Sequence, residues 1–276
     1  MAEIRPMGLG EILDGALTIY RHHLTTLLAL GVVVLWLPVA LTIYVQLAGP
    51  QEHAGLFLLA SVIQYFAGLL LTAGAIRVIS DSYLGRQPGI GAALALGLQK
   101  VWPLFVVGLA KGILLICIAV GIGIVAAVAI PTLAKAGGGG AVVTVALFAG
   151  AVWFAVFVAC GYAVTTQVVV LEPLDSSFDA FRRSWELTRG RKLKVLGLAV
   201  VAFVLAVLPT AAIGAVAAFL RLSSPTAWGV LLVLGAILPV ILTPILPCVL
   251  TVMYYDLRVR REAFDLELLG QQLGVV

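Results

Sequence analysis

Six apolar runs, each long enough to cross a bilayer, follow one another along this chain, at roughly 24–47, 56–80, 103–134, 141–171, 195–220 and 227–255. A helix needs about 20 apolar residues to traverse roughly 30 Å of hydrocarbon, and every run meets that length. Charged residues make up only 11% of the chain, too few to interrupt the runs. The expected fold class is therefore all-α: a polytopic membrane helix bundle of six transmembrane helices, in one domain over residues 1–276. An even number of crossings puts both termini on one side.

Which side follows from the basic residues. Arg5, Arg21, Arg77, Arg86, Lys100, Arg182, Arg183, Arg189, Arg191, Lys192, Lys194, Arg258, Arg260 and Arg261 fall at one end of the expected bundle. Only Lys135 and Arg221 occupy the loops at the other. Short cytoplasmic loops collect Lys and Arg, so both termini are expected in the cytoplasm. All acidic residues but Glu52 lie on that side too, which leaves short, nearly uncharged outer loops and no outer domain for a large ligand. Glu3, Glu11 and Asp14 stand where a cleavable signal would be basic, so the first run is expected to stay in the mature protein. The absence of Asn and the excess of Arg over Lys suggest a bacterium with a G+C-rich genome, and hence its cytoplasmic membrane. The basic residues are expected to meet anionic lipid headgroups; membrane lipids are the expected partners, and nucleic acid is not implied. Cys117, Cys160 and Cys248 all fall within the runs and read as small buried hydrophobes.

Amphipathic segments precede the odd-numbered runs. In the first, Leu9, Leu13, Ala16, Leu17 and Tyr20 line one helical face, and Glu11, Asp14, Thr18 and Arg21 the other. Before the fifth run, Phe178, Phe181 and Trp185 oppose Asp179, Arg182, Arg183, Glu186 and Arg189. Ser176 and Asp179 are there spaced as a capping box, and Asp179 and Arg183 for an i,i+4 pair. The middle copy, residues 89–101, is nearly all apolar apart from Gln99 and Lys100. Interfacial helices on the cytoplasmic side are thus expected, each opening a unit of one surface helix and one transmembrane hairpin, over residues 8–86, 88–172 and 174–258, with a cytoplasmic tail at 259–276. Units of two crossings enter from the same side, which makes this a threefold parallel repeat rather than an inverted one.

Few residues suggest chemistry. Lys111 falls in the third run, where a central lysine costs about 2.5–3.5 kcal/mol; it either serves a function or, eight residues past Pro103, snorkels to the interface. Gln64 and Gln167 are the other intramembrane polar candidates, read first as interhelical hydrogen-bonding contacts and second as the lining of a polar pathway. Pro239, Pro244 and Pro247 should kink or break the last run. HExxH, GxSxG, P-loop and CxxC motifs are absent, and the histidines split between His22 with His23 and a distant His53. No catalytic, metal or cofactor site is expected.

Three stretches, residues 6–16 (PMGLGEILDGA) with Tyr20 and Arg21, residues 181–190 (FRRSWELTRG) after Glu172, and residues 254–267 (YYDLRVRREAFDLE), resemble the membrane domain associated with bacterial glycerophosphoryl diester phosphodiesterases. That resemblance spans most of the chain. It implies an integral membrane protein and carries no catalytic residue with it, because the soluble catalytic barrel of such enzymes has no counterpart here. Ala263 stands where the family's tail usually has glycine. All three stretches lie at the expected cytoplasmic interface and mix both signs of charge. Glu11, Asp14, Arg21, Glu172, Arg182, Arg183, Asp256 and Arg258 are accordingly candidates for an ionic belt, either holding the interfacial helices or presenting a docking platform. A non-enzymatic scaffold that docks a membrane or cytoplasmic partner or organises lipid is the leading expectation, and a transporter or permease component the alternative.

Overall fold

The computed structural model describes residues 7–49, 52–135, 138–220 and 224–262, which form ten helices. They are α1 (Leu9–His22), α2 (Leu24–Ala48), α3 (Ala54–Tyr83), α4 (Ile90–Lys135), α5 (Gly138–Gly161), α6 (Thr165–Leu171), α7 (Asp179–Thr188), α8 (Lys192–Leu220), α9 (Pro225–Leu242) and α10 (Ile245–Glu262). Among the described residues six crossings are long and apolar enough to span a membrane, α5 with α6 and α9 with α10 each forming one. The protein is an all-α, multi-pass membrane bundle.

Neighbours follow in a ring, α2 to α3, α4, α5, α8, α9 and back to α2. The end that carries most of the basic residues is filled by α10. Thr251, Val252, Met253, Tyr254, Tyr255, Asp256 and Leu257 are all buried, and an unbroken buried run of nearly two turns means that α10 is enclosed on every side. Around it stand α1, α3, α6, α7 and α8. Away from this end the helices present apolar side chains outward, as Leu147, Trp153 and Phe219 do, and in hydrocarbon such surface needs no cover.

Two crossings are interrupted, and in each case another helix caps the break. The last turn of a helix leaves carbonyls unpaired, a severe cost in hydrocarbon. Between α5 and α6, the Tyr162 carbonyl accepts from Lys111 Nζ of α4 at 3.1 Å and from Thr165 Oγ1 at 2.8 Å. Between α9 and α10, where Pro244 cannot donate, the Ile241 carbonyl accepts from the Tyr20 hydroxyl of α1 at 2.7 Å. The expected interruption of the last run is thus present, and Lys111 donates to a freed carbonyl.

The amphipathic segments depart from expectation in register and, in the middle copy, in kind. On α1 the buried face is Ile12, Ala16 and Tyr20, while Leu9 is 40% exposed. Residues 90–101 are not a separate surface helix; they are the first turns of α4, which runs on through Pro103. Close packing against α3 is the reason: a Cβ at Gly97 would lie 2.6 Å from Leu70 Cδ1 and 3.1 Å from the Leu70 carbonyl. A nearly uniformly apolar segment gains more by lying in the bundle than along a polar interface. The helix α7 begins at Asp179, and Ser176 and Asp179 close the turn before it. Ser176 N–H donates to Asp179 Oδ2 at 3.2 Å, and Ser176 Oγ accepts from Phe178 N–H at 3.3 Å.

Candidate functional site at the charged end

Asp256 is completely buried, and its carboxylate accepts from a lysine, an arginine and a backbone N–H. Lys194 Nζ of α8 donates to its Oδ2 at 2.6 Å. Arg260, one turn on, donates through Nε to Oδ1 and Oδ2 at 3.0 and 3.1 Å. Met7 N–H, just before α1, donates to Oδ1 at 2.8 Å. The Met7 carbonyl then accepts from Lys194 Nζ and from Arg260 Nη2, both at 2.7 Å. One peptide unit at the start of α1 is thereby clamped on both sides by the pair that joins α8 to α10. A buried carboxylate is tolerable only with its lone pairs filled, and here they are.

A second cluster lies on another flank of α10. Glu172, at the end of α6, accepts from Arg183 Nε of α7 at 2.9 Å and from the Tyr254 hydroxyl at 2.7 Å. Arg183 also pairs with Glu262, which is held from its own helix by Arg258 Nε at 2.9 Å. Burial opposes the charge on Arg183, but the hydrogen bond and charge of Glu172, together with Glu262, outweigh it and push the pKa above the usual arginine value. The third flank is aromatic. The hydroxyls of Tyr255 and Ser80 of α3 are hydrogen-bonded at 2.6 Å, and Tyr255 stacks on Tyr83 with ring centroids 4.9 Å apart. Three consecutive residues of α10, Tyr254, Tyr255 and Asp256, therefore reach three different helices.

The three crossings that return to this end each terminate in a carboxylate withdrawn from solvent. These are Asp81 on α3, paired with Arg77 at 2.9 Å, Glu172 on α6 and Asp256 on α10. The matching positions were visible as Ser80-Asp81, Leu171-Glu172 and Tyr255-Asp256 at the ends of the even-numbered runs. Asp81 lay outside the sequence-derived belt because that belt was drawn from the stretches around residues 6–21, 172–190 and 254–267, none of which reaches it.

The surface helix α7 is seated by a glycine. Trp185 packs so tightly on Gly161 that a Cβ there would lie 2.2 Å from Trp185 Cε3. Ser184 and Thr188 both donate to the Gly161 carbonyl, at 2.9 and 3.2 Å. The end of α5, the break before α6 and the position of α7 are one joint.

Of the expected belt, Glu172, Arg183, Asp256 and Arg258 come together around α10. Asp14 and Arg21 are exposed on α1 and stand outside both clusters. Arg182, 75% exposed, pairs along its own helix with Glu186 at 3.6 Å, and Arg183 turns to Glu172 and Glu262 rather than to Asp179. Glu11 accepts from Gly8 N–H and so caps α1. Lys194, Arg260 and Glu262 complete the clusters and were not among the candidates; they lie in basic or mixed runs where spacing does not single out a partner. Gln167 is buried, with its Oε1 lacking a hydrogen-bond partner, while Gln64 is half-buried. They lie on different crossings, α6 and α3. Among the described residues no group of His, Cys, Asp or Glu is gathered to hold a metal ion.

Fold and site together define a multi-pass helical membrane protein whose buried charges fasten its helices at one end. No protein-family model, curated protein or solved structure matches the chain.

Proposed function

We propose that this protein is a non-enzymatic membrane module that docks a protein partner or organises lipid, with its charged end in the cytoplasm of a bacterial cell. The observation that carries this reading is the division of its charges by depth. Asp256, Glu172, Arg183 and Lys194 are committed to one another and to backbone, so they hold helices together. Asp14, Arg21, Arg182 and Glu186 stand exposed on the two surface helices, where a partner of mixed charge can reach them. The bias of basic residues toward this end supports the cytoplasmic orientation. The likeness of residues 6–16, 181–190 and 254–267 to the membrane domain that accompanies glycerophosphoryl diester phosphodiesterases is in keeping with a module without its own catalytic centre. Affinity purification from native membranes tests the reading: the wild-type chain should recover a defined partner, and Arg21→Glu with Arg182→Glu should lose it while melting unchanged.

A transporter component is the second reading, favoured by the two interrupted crossings, since broken helices are one way of building a solute site in a membrane. Flux of a small solute or lipid through sealed proteoliposomes, with no partner recovered, would favour it.

A further inference from the structure

The loop between α7 and α8 separates two hollows that share its residues. One is a groove of about 530 Å³ between α5 and α8, walled by Trp153, Phe157, Trp185 and Leu196. The other, of about 410 Å³, lies on the far side of the same loop and is bounded by Arg189, Arg191, Arg260 and Arg261. Gly190, with φ of +79°, makes the turn that sets Arg189 and Arg191 at the border of both. Among the described residues that line either hollow there is no carboxylate. Arg189 and Arg191 are both exposed. Lys192 adds a third positive charge: its Nζ lies 3.1 Å from the ring centroid of Phe157 and 3.3 Å from that of Trp185, without a hydrogen-bond acceptor.

The geometry points to a binding site for one anionic phospholipid from the leaflet at the charged end, its phosphate against Arg189 and Arg191 and its acyl chain along Trp153, Phe157 and Leu196. Charge complementarity selects the headgroup, because two exposed arginines at the border of an apolar groove, with the enclosed Lys192 ammonium behind them, have no counter-ion among the described residues. Position selects a lipid over a free anion. Trp153 is 61% and Leu193 72% exposed, so the groove is open on the side where the bundle meets hydrocarbon, and an acyl chain can enter it from there. Guanidinium groups suit phosphate because their planar donors engage two oxygens at once. The volume is in the range of sites that enclose a small ligand, enough for the glycerol and the first part of a chain. This site rests on reading the bundle as a lipid-engaging module, and it supplies the class of lipid.

The test is retention of phosphatidylglycerol against phosphatidylcholine by the purified full chain, followed by native mass spectrometry and in nanodiscs of either composition. Phosphatidylglycerol should be retained preferentially by the wild type. Each of Arg189→Gln and Arg191→Gln should weaken it about five-fold, in line with the contribution of one basic residue near a membrane surface. Arg86→Gln, which removes an exposed arginine outside the groove, should leave retention unchanged. Leu196→Trp fills the groove without altering charge and should also displace the lipid. Equal retention of both lipids, equal losses in all three arginine variants, or full retention by Leu196→Trp would overturn the site. Lipid retention that behaves as described while no partner is recovered from membranes would leave this site standing and remove the docking reading of the module.

Discussion

Lys194 of α8 sets its ammonium 2.6 Å from the Asp256 carboxylate of α10, a group with no exposed surface, and both hold the peptide unit of Met7. Three separate parts of the chain, the start of α1, the start of α8 and the end of α10, meet at this one pair. Their agreement is what closes the bundle at its charged end.

Removing the carboxylate leaves Lys194 and Arg260 facing each other without compensation. Breaking a buried pair in this way costs roughly 3–5 kcal/mol, whereas an exposed surface change stays within about 0.5 kcal/mol. Asp256→Ala should therefore lower the melting temperature in detergent sharply, and Asp14→Ala should leave it where it was. Equal effects of the two substitutions would mean that depth does not separate the belt.

Gly161 has no room for a side chain. A methyl group 2.2 Å from Trp185 forces α7 off its seat, and overpacking of this kind costs roughly 1–3 kcal/mol. Gly161→Ala should make α7 susceptible to limited proteolysis, and the added substitution Trp185→Leu should restore protection. Protease resistance in the single variant would show that the contact yields easily.

At the joint of α1 and α2, burial first and the neighbouring His22 second hold the His23 pKa below the usual histidine value. Protonation is then easier in the unfolded chain, whose histidine titrates near about 6.5, than in the folded one. The unfolded state binds the extra proton, so the contribution of His23 to stability is complete above that pH and is lost as pH falls through the lower folded value. His23→Gln should flatten the acid limb of a melting-temperature profile below about pH 6.5. An unaltered limb would assign it to other groups.

Orientation is open to direct chemistry. In a background lacking the native cysteines, Asp175→Cys lies at the charged end and Glu52→Cys at the opposite one. A membrane-impermeant thiol reagent applied to intact cells should modify the second and spare the first. The reverse pattern would invert the protein in its membrane.

Much of this architecture was written in local pattern. Run length alone produced six crossings, because hydrocarbon excludes unpaired backbone and leaves the helix as the only local solution. Pro244 announced the break before α10 by chemistry that any context would respect. The break before α6 had no such signal, since Tyr162, Ala163 and Val164 are ordinary helix residues; it exists because Lys111 and Thr165 cap the freed carbonyl, and those partners meet only in three dimensions. Residues 90–101 look amphipathic at their polar end yet join the bundle, because Gly97 lets α3 approach.

The sequence by itself determined what is additive along the chain: helical crossings, their number, the uneven distribution of charge and the surface helices α1 and α7. Tertiary structure alone decided which charges are internal. Asp14 and Asp256 both sit in a charged helix facing arginines in sequence, but one ends in solvent and the other at the centre of the bundle. The reason is that burial depends on what surrounds a residue from distant parts of the chain. Only when α1, α3, α6, α7 and α8 close around α10 does the local pattern Tyr254-Tyr255-Asp256 become an enclosed core, and only then must its carboxylate find Lys194.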